Sequence, residues 1–242
     1  MALQFLLPDG EEWRTAMVDT PVFAVSTPEA FRDQLVAMAP DPATGNADPV
    51  KMKAFFARHP ESARAAERIK AQTPSSGFHD STYGSLNAFV FVDGGGRRTP
   101  VRWWMVPVQP FESATPPPPA GVPNYLFDAL ATRLRQQPLQ WHLVLTVGQP
   151  GDPTNDATIP WPPDRDRIDA GILTIDTMEG EEASLARTVN FDPLVLPDGI
   201  ESSDDPLLSA RSAVYSASFR RRAGEPVSAS AVTNTEVEVS GP

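Results

Sequence analysis

The sequence predicts an α+β fold, in which helices pack beside an antiparallel sheet. Short apolar segments with period-two alternation recur along the chain, and some are joined by turn signals rich in Gly and Asp. Segments with apolar residues three and four apart, the spacing of helices, lie between groups of strands and do not alternate with them regularly. No internal repeat is apparent. This order of elements is typical of an antiparallel sheet with helices to one side.

The composition limits the classes of function. The chain has 242 residues, of which 40% are hydrophobic, enough to bury a core in one large or two small domains. Its net charge of -11 opposes binding to phosphate and anionic lipid, so we expect no nucleic-acid or membrane partner. The absence of cysteine excludes disulfides, thiolate metal sites and thiol catalysis. We also expect no secretory signal, because Met1 is not followed by a basic and then an apolar segment.

The first elements are short strands separated by turns. An apolar strand is predicted at Ala2–Leu7, and the Pro-Asp-Gly sequence at positions 8–10 favours a turn after it. Trp13–Met17 is expected to pair back onto this strand. Pro21–Val25 is short and apolar, and it predicts a third, buried strand.

Three helices are predicted next, at Glu29–Met38, Pro49–Arg58 and Ser62–Ala71. Thr27 is suited to the N-cap of the first helix, and Pro28 to its first helical position. The periodicity of this helix predicts one buried apolar face, composed of Phe31, Leu35 and Met38.

A long hairpin is predicted in the middle of the chain. Tyr83–Val92 alternates like a strand, Asp93–Gly96 favours a hairpin turn, and Thr99–Val108 returns as the partner strand. Trp103 and Trp104 are adjacent in this second strand, so they should face opposite sides of the sheet. No helix follows the glycine triplet, which favours a turn over a phosphate-binding loop.

The second half of the chain ends with an arm and a helix. A helix at Tyr125–Arg135 is followed by strands at Leu139–Val147 and Gly171–Asp176. An extended arm, Asn190–Asp205, leads into a helix at Leu207–Arg222. Either Asp204 or Asp205 would cap that helix. We expect one domain over residues 1–226 and a frayed tail over residues 227–242.

The arm and the last helix carry the distinctive motifs. Phe191 begins F-D-P, Leu196 begins L-P-D-G-I-E, and the helix carries R-S-A-V-Y from Arg211 to Tyr215. This resembles the proximal haem segment of catalases, in which an F-x-P and L-P-x-G-I-E arm leads into a helix bearing R-x-x-x-Y. The resemblance implies a catalase-like antiparallel β-barrel that binds haem b, with Tyr215 as the axial ligand of the iron.

The spacing of Arg211 and Tyr215 is chemically consistent with that role. Residues four apart share one face of a helix, so the guanidinium can lie beside the phenol. A free tyrosine loses its proton only near pH 10, so a phenolate ligand at neutral pH needs nearby positive charge. Arg222 matches the family arginine that pairs with a haem propionate, as a planar guanidinium can. The alternative for residues 220–222 is a solvated basic cluster at a helix end.

The resemblance extends to most of the chain, and is closest to the small catalase-related peroxidases. The T-P-V-F segment ending at Phe23 and the P-E-A-F segment ending at Phe31 match the family region that lines haem. The resemblance implies that Phe23 lies on the distal side and that Phe31 stacks on the porphyrin. Plain core packing of both phenylalanines is an equally open interpretation.

The sequence departs from the family on the distal side of haem. The R-x-x-H-A-x-G segment with the distal histidine is absent, and Val18-Asp19 stands where the family has its distal asparagine. The three histidines are far apart and fit no metal-ligand spacing, so we expect core or surface roles for His59, His79 and His142. We therefore assign no catalytic residue and expect a barrel that is incomplete at its N-terminus. A shortened gene model, a truncated gene and a variant without a distal side all remain open.

The resemblance implies haem-dependent reduction of hydrogen peroxide or organic peroxides, with a small organic electron donor. A haem-binding catalase relic with little turnover is the alternative, since no general base for the peroxide proton is apparent. A third possibility is a haem-free α+β domain that binds an apolar ligand.

Overall fold

The computed structural model describes residues 1–42, 44–114, 124–180 and 184–225. The described strands are β1 (Ala2–Leu6), β2 (Glu12–Ala16), β3 (Tyr83–Gly84), β4 (Phe89–Val92), β5 (Arg98–Pro107), β6 (Leu139–Val147), β7 (Arg167–Ile175) and β8 (Ile200–Ser202). The described helices are α1 (Pro28–Met38), α2 (Pro49–Arg58), α3 (Pro60–Ala71), α4 (Tyr125–Leu134), a 3-10 helix η1 (Leu185–Thr188) and α5 (Pro206–Gly224).

The strands form two antiparallel sheets, which confirms the predicted α+β class. The larger sheet has the order β7-β6-β5-β4-β8, with β3 also paired to β5. The hairpin of β1 and β2 forms a separate two-stranded sheet. Within the described ranges the larger sheet stays open and does not close into a barrel. No described helix is long and apolar enough to cross a membrane.

The sheet divides the apolar core into two clusters. On one face, Trp103 packs in a stacked contact with Phe89 and edge-on against Trp13 of β2, which joins the two sheets. On the other face, Trp104 packs against a second cluster, which lies between the sheet and the helices. The two tryptophans face opposite sides, as predicted.

Most predicted boundaries are confirmed, and both predicted caps are present. The Thr27 Oγ1 accepts a hydrogen bond from the Ala30 N–H at 3.1 Å. Of the two candidates for the cap of α5, it is Asp205 whose carboxylate accepts from the Leu207 N–H, at 2.9 Å. The turn between β4 and β5 places Gly96 at a φ of 81°, a conformation that favours glycine. The predicted tail, residues 227–242, lies outside the described residues.

Three predicted strands were wrong in part or in whole. Pro21–Val25 is an irregular loop between the sheet and α1 and does not pair as a strand. Its two valines are nevertheless buried. The continuous strand Tyr83–Val92 is broken around Leu86, whose φ of 56° cannot continue a strand. The strand predicted from Gly171 begins earlier, at Arg167, and its pairing with β6 shifts register near the glycine.

The predicted buried face of α1 was also wrong. The helix buries its small residues Ala30 and Ala37. The three large side chains are exposed: Phe31 by 41%, Leu35 by 55% and Met38 by 52%. Alanine lets α1 approach the core closely, and the large apolar residues then face away from it. An apolar surface is left uncovered by the described part of the chain.

Candidate haem site

The helix α5 places the two central residues of the predicted site. Its first turn is fixed by the Asp205 cap and by the buried side chains of Leu207 and Leu208. Beyond that turn no described residue of α5 is buried. Arg211 and Tyr215 therefore extend from a helix that is anchored at its N-terminal end.

A buried amide connects Arg211 to the start of α5. One guanidinium nitrogen of Arg211 donates to the Oδ1 of Asn87, and the other donates to the Ala16 carbonyl at 3.1 Å. The Asn87 side chain is fully buried, and its Nδ2 donates to the Asp205 carboxylate at 2.8 Å. The guanidinium is thus held by the end of β2 and by the segment between β3 and β4, and Asn87 links it to the helix cap. We call Arg211, Asn87 and Asp205 the anchoring triad.

The carboxylate of the anchoring triad, that of Asp205, is buried in surroundings that disfavour its negative charge. Burial raises the pKa of Asp205 above its usual value, and hydrogen bonds from Asn87 and Leu207 oppose that shift. The positive charge of Arg102 also favours the ionised form. The sequence predicts Asp205 only as a cap, and no pattern in it points to Asn87.

Tyr215 differs from the buried Tyr83 in the contacts of its hydroxyl. The Cζ of Arg211 lies 5.9 Å from the centre of the Tyr215 ring, as the predicted spacing requires. The Tyr215 hydroxyl forms no hydrogen bond with any described residue, although the side chain is half-buried. The hydroxyl of buried Tyr83, in contrast, donates to the Phe78 carbonyl at 2.8 Å. The Tyr215 oxygen is therefore available to a ligand.

The two predicted aromatic residues are in contact with each other. The ring centres of Phe23 and Phe31 lie 6.2 Å apart. Phe23 packs on the second core cluster, while Phe31 belongs to the uncovered face of α1. Because α1 contacts α5, Phe31 and Tyr215 lie on neighbouring elements. Phe23 thus packs on the core and Phe31 is left exposed, so the core-packing interpretation does not describe both.

Arg222 lies near the C-terminal end of α5 and is exposed. Its Cζ is 5.7 Å from the centre of the Phe219 ring, in cation–π geometry. It lines a cleft of about 370 Å³ between α5 and η1. An exposed guanidinium beside an aromatic surface is suited to bind the carboxylate of a flat apolar ligand.

The three histidines make contacts elsewhere, in agreement with the predicted core and surface roles. His59 lies 3.7 Å from the Asp33 carboxylate, and the His142 Nδ1 lies 2.7 Å from that of Asp169. His79 is buried, and its Nδ1 has no hydrogen-bond partner in the described structure. Val18 and Asp19, the pair predicted to stand where the family has its distal asparagine, are both exposed. Within the described ranges no three His, Asp or Glu residues are grouped to hold a metal ion.

A second cleft, of about 320 Å³, contains a buried arginine that the sequence analysis did not select. Arg102 is 4% exposed, and its Cζ lies 4.7 Å from the centre of the Trp161 ring. Its guanidinium donates to the Ile159 carbonyl at 2.9 Å, and burial lowers its pKa to about 10. The only signal in the sequence is an arginine inside an apolar strand, beside Trp103.

These residues fit a haem group. The site combines a phenol oxygen without an internal partner, an arginine beside it and an uncovered aromatic side chain on the adjoining helix. Haem requires an axial ligand, apolar contacts for the porphyrin and cations for its propionates, and each of these types is present.

Comparison with known proteins decides the family. The sequence model of the catalase family matches residues 1–240. The chain belongs to the catalase family. Among its catalase-family relatives, the catalase-related peroxidase of Synechococcus elongatus is 37% identical over 223 residues, or 92% of this chain and 66% of that protein. The catalase-related peroxidase of Mycolicibacterium paratuberculosis is 32% identical over 231 residues, or 93% of this chain and 71% of that protein.

The catalase fold is confirmed by solved structures. A bacterial catalase superposes with a TM-score of 0.77 at 20% identity, covering 92% of this chain and 46% of that one. A fungal catalase superposes with a TM-score of 0.79 at 17% identity, covering 93% of this chain and 48% of that one. This catalase-family chain spans about two thirds of these two catalase-related peroxidases and less than half of these solved chains.

Proposed function

We propose that this catalase-family chain binds haem b through the phenolate of Tyr215 and reduces hydrogen peroxide or organic peroxides with a small organic electron donor. The main support is Tyr215, a half-buried residue whose hydroxyl lacks a hydrogen-bond partner among the described residues and whose ring lies beside Arg211. Both named relatives are catalase-related peroxidases, which supports peroxide as the substrate.

Each residue of the site has a distinct part in this proposal. Arg211 places a fixed positive charge beside the phenol, and Asn87 keeps that charge from turning away. Phe31 and Phe23 provide an apolar surface that excludes water from one side of the porphyrin. Arg222 pairs with a propionate. Bound haem supplies the iron redox chemistry by which a peroxide O–O bond is reduced.

Absorption spectroscopy of the haem-reconstituted chain tests the ligand. The wild-type chain should give a Soret band and the charge-transfer bands of ferric phenolate ligation. Tyr215→Phe should lose the charge-transfer bands, shift the Soret band and bind haem more weakly, because it removes the oxygen ligand and keeps the ring. Tyr125→Phe on α4 is the matched control and should leave the spectrum unchanged. Identical spectra for wild type and Tyr215→Phe would end the assignment.

Haem binding with little turnover is the second candidate. It is favoured by the contacts of the histidines, because His59 and His142 each lie beside a carboxylate and His79 is buried. Peroxide consumption by the reconstituted chain separates the two. Turnover well above that of free haem, lost in Tyr215→Phe, supports the peroxidase. Ligand-type spectra with turnover no faster than free haem support the binding domain.

A further inference from the structure

Two arginines from separate elements line the same cleft. Arg187 of η1 and Arg222 of α5 both border the 370 Å³ cleft, and Phe219 also lines it. Neither guanidinium forms an ion pair with a described residue, although the chain carries 31 acidic and 20 basic side chains. Glu225 also borders the cleft, but its carboxylate accepts a hydrogen bond from Arg221. Two unpaired guanidinium groups beside an aromatic ring favour a bound carboxylate.

The position of Arg187 is set by its short helix. The Ser184 Oγ accepts from the Ala186 N–H at 3.1 Å and caps η1. The hydroxyl of Thr188 donates to the Leu185 carbonyl at 2.7 Å, which closes the same turn. Arg187 itself is half-buried, so part of its hydration is already lost before a ligand binds. The cost of desolvating this guanidinium on binding is therefore reduced in advance.

The cleft lies along the face of α5 that carries Tyr215. Tyr215, Phe219 and Arg222 are spaced by four and three residues, so they share one face of the helix. Seven residues of helix separate the phenol from Arg222 by about 10 Å along the axis. This is on the scale of the reach from the centre of a porphyrin to its propionates.

We propose that Arg187 and Arg222 form a two-arginine carboxylate site and that Arg187 is a second residue that binds a haem propionate. The proposal rests on the proposed haem function and extends it to a residue with no match in the motifs of the arm and helix. Each planar guanidinium can hold a carboxylate through two parallel N–H···O bonds. The site thus favours a dianionic, flat, apolar ligand over a neutral one.

Titration with haem and with haem dimethyl ester tests this site, because the ester keeps the porphyrin and iron but removes both carboxylates. Arg187→Gln should weaken haem binding about tenfold, as expected for loss of a charge-assisted hydrogen bond. The same variant should bind the dimethyl ester as the wild type does. Arg222→Gln should likewise weaken haem binding and leave binding of the dimethyl ester unchanged. Arg220→Gln, on another face of α5, is the control and should change neither affinity.

The outcomes separate this proposal from the one on which it rests. Equal haem affinities for wild type and Arg187→Gln overturn the two-arginine site, as does an equal loss for both ligands. If Tyr215→Phe still changes the haem spectrum in that case, the haem function stands without the site. A wild-type chain that leaves the Soret band of each ligand where it lies in free solution overturns both. Equal melting temperatures of the apo-proteins establish that the variants are folded.

Discussion

The aromatic residues of the sheet core differ from those of the face formed by α1 and α5 in their burial and in the hydrogen bonds of their polar atoms. In the sheet core, the Nε1 of Trp103 donates to Thr15 at 3.0 Å and that of Trp141 donates to the Ser81 carbonyl at 3.2 Å. Trp13 is the exception, because its Nε1 has no partner in the described structure. On the face formed by α1 and α5, Phe31 is exposed and the Tyr215 hydroxyl has no partner among the described residues.

This difference separates residues that stabilise the fold from residues left free for a ligand. An aromatic ring that is buried with its polar atom satisfied adds stability to the chain itself. An uncovered ring and a free hydroxyl add little to the apo-protein and become useful only when a partner arrives. Substitutions in the two regions should therefore affect different measurements.

Truncation of the sheet core should have the largest effect. Trp103→Ala removes a ring that contacts Phe89 and Trp13 and leaves a cavity at the junction of the two sheets. The expected loss is about 3–5 kcal/mol of unfolding free energy, measured by urea denaturation of the apo-protein. Phe111→Ala removes an exposed ring and serves as the control. A loss below about 1 kcal/mol for Trp103→Ala would show that this cluster is not the stabilising core.

Breaking the anchoring triad should have the next largest effect, and it affects both regions. Asn87→Ala leaves the buried Asp205 carboxylate and the Arg211 guanidinium without their shared partner. We expect a loss of about 2–3 kcal/mol, because buried polar groups are left unsatisfied. Urea denaturation measures this, with exposed Asn46→Ala as the control. The haem absorption bands of the reconstituted variant should also shift. Unshifted bands would show that the position of Arg211 does not depend on Asn87.

The sequence could predict the local part of this arrangement but not the part that joins distant segments. Thr27 and Asp205 cap their helices as predicted, because a cap depends on neighbours within three residues. Arg211 and Tyr215 meet because four residues separate them on one helix. Asn87, however, is 124 residues from Arg211, and no local pattern connects them.

The wrong predictions have related causes. The spacing of Phe31, Leu35 and Met38 correctly predicted a helix with one apolar face, but periodicity does not state what covers that face. The packing of Ala30 and Ala37 against the core decided the rotation of α1. Likewise, alternation through Tyr83–Val92 gave no sign of the positive φ at Leu86.

High pH should weaken the sheet core through Tyr83. Burial raises the pKa of Tyr83 to about 12, with nearby Asp19 and Asp80 adding to the shift. A tyrosine in the unfolded chain ionises near pH 10. The stability that the folded chain has while Tyr83 is protonated is therefore complete below pH 10, and it is lost as the pH rises through about 12. The total change in unfolding free energy is about 3 kcal/mol. Urea denaturation should show this decline between roughly pH 9 and pH 12, a range that covers the tyrosine pKa of the unfolded and of the folded chain. Tyr83→Phe should remove it, and an equally steep decline in that variant would contradict the assignment.

Truncation of the uncovered face should have the smallest effect on stability. Phe31→Ala removes an exposed ring from a helix, where alanine is favoured, so unfolding free energy should change by less than about 0.5 kcal/mol. Its haem affinity, measured by Soret titration, should fall several-fold. Exposed Phe127→Ala on α4 is the control and should leave haem affinity unchanged. A large loss of apo stability for Phe31→Ala would place this ring in the core and remove the contrast between the regions.

The fixed start of α5 also determines the direction in which its later residues point. Successive residues of a helix are rotated by about 100°, so a single residue inserted between Arg211 and Tyr215 would turn the phenol by that angle. The anchoring triad holds the helix at two positions, Asp205 and Arg211, which together fix its rotation about its own axis. The orientation of the phenol is thus encoded one turn upstream of it, in residues that a ligand of Tyr215 need not touch.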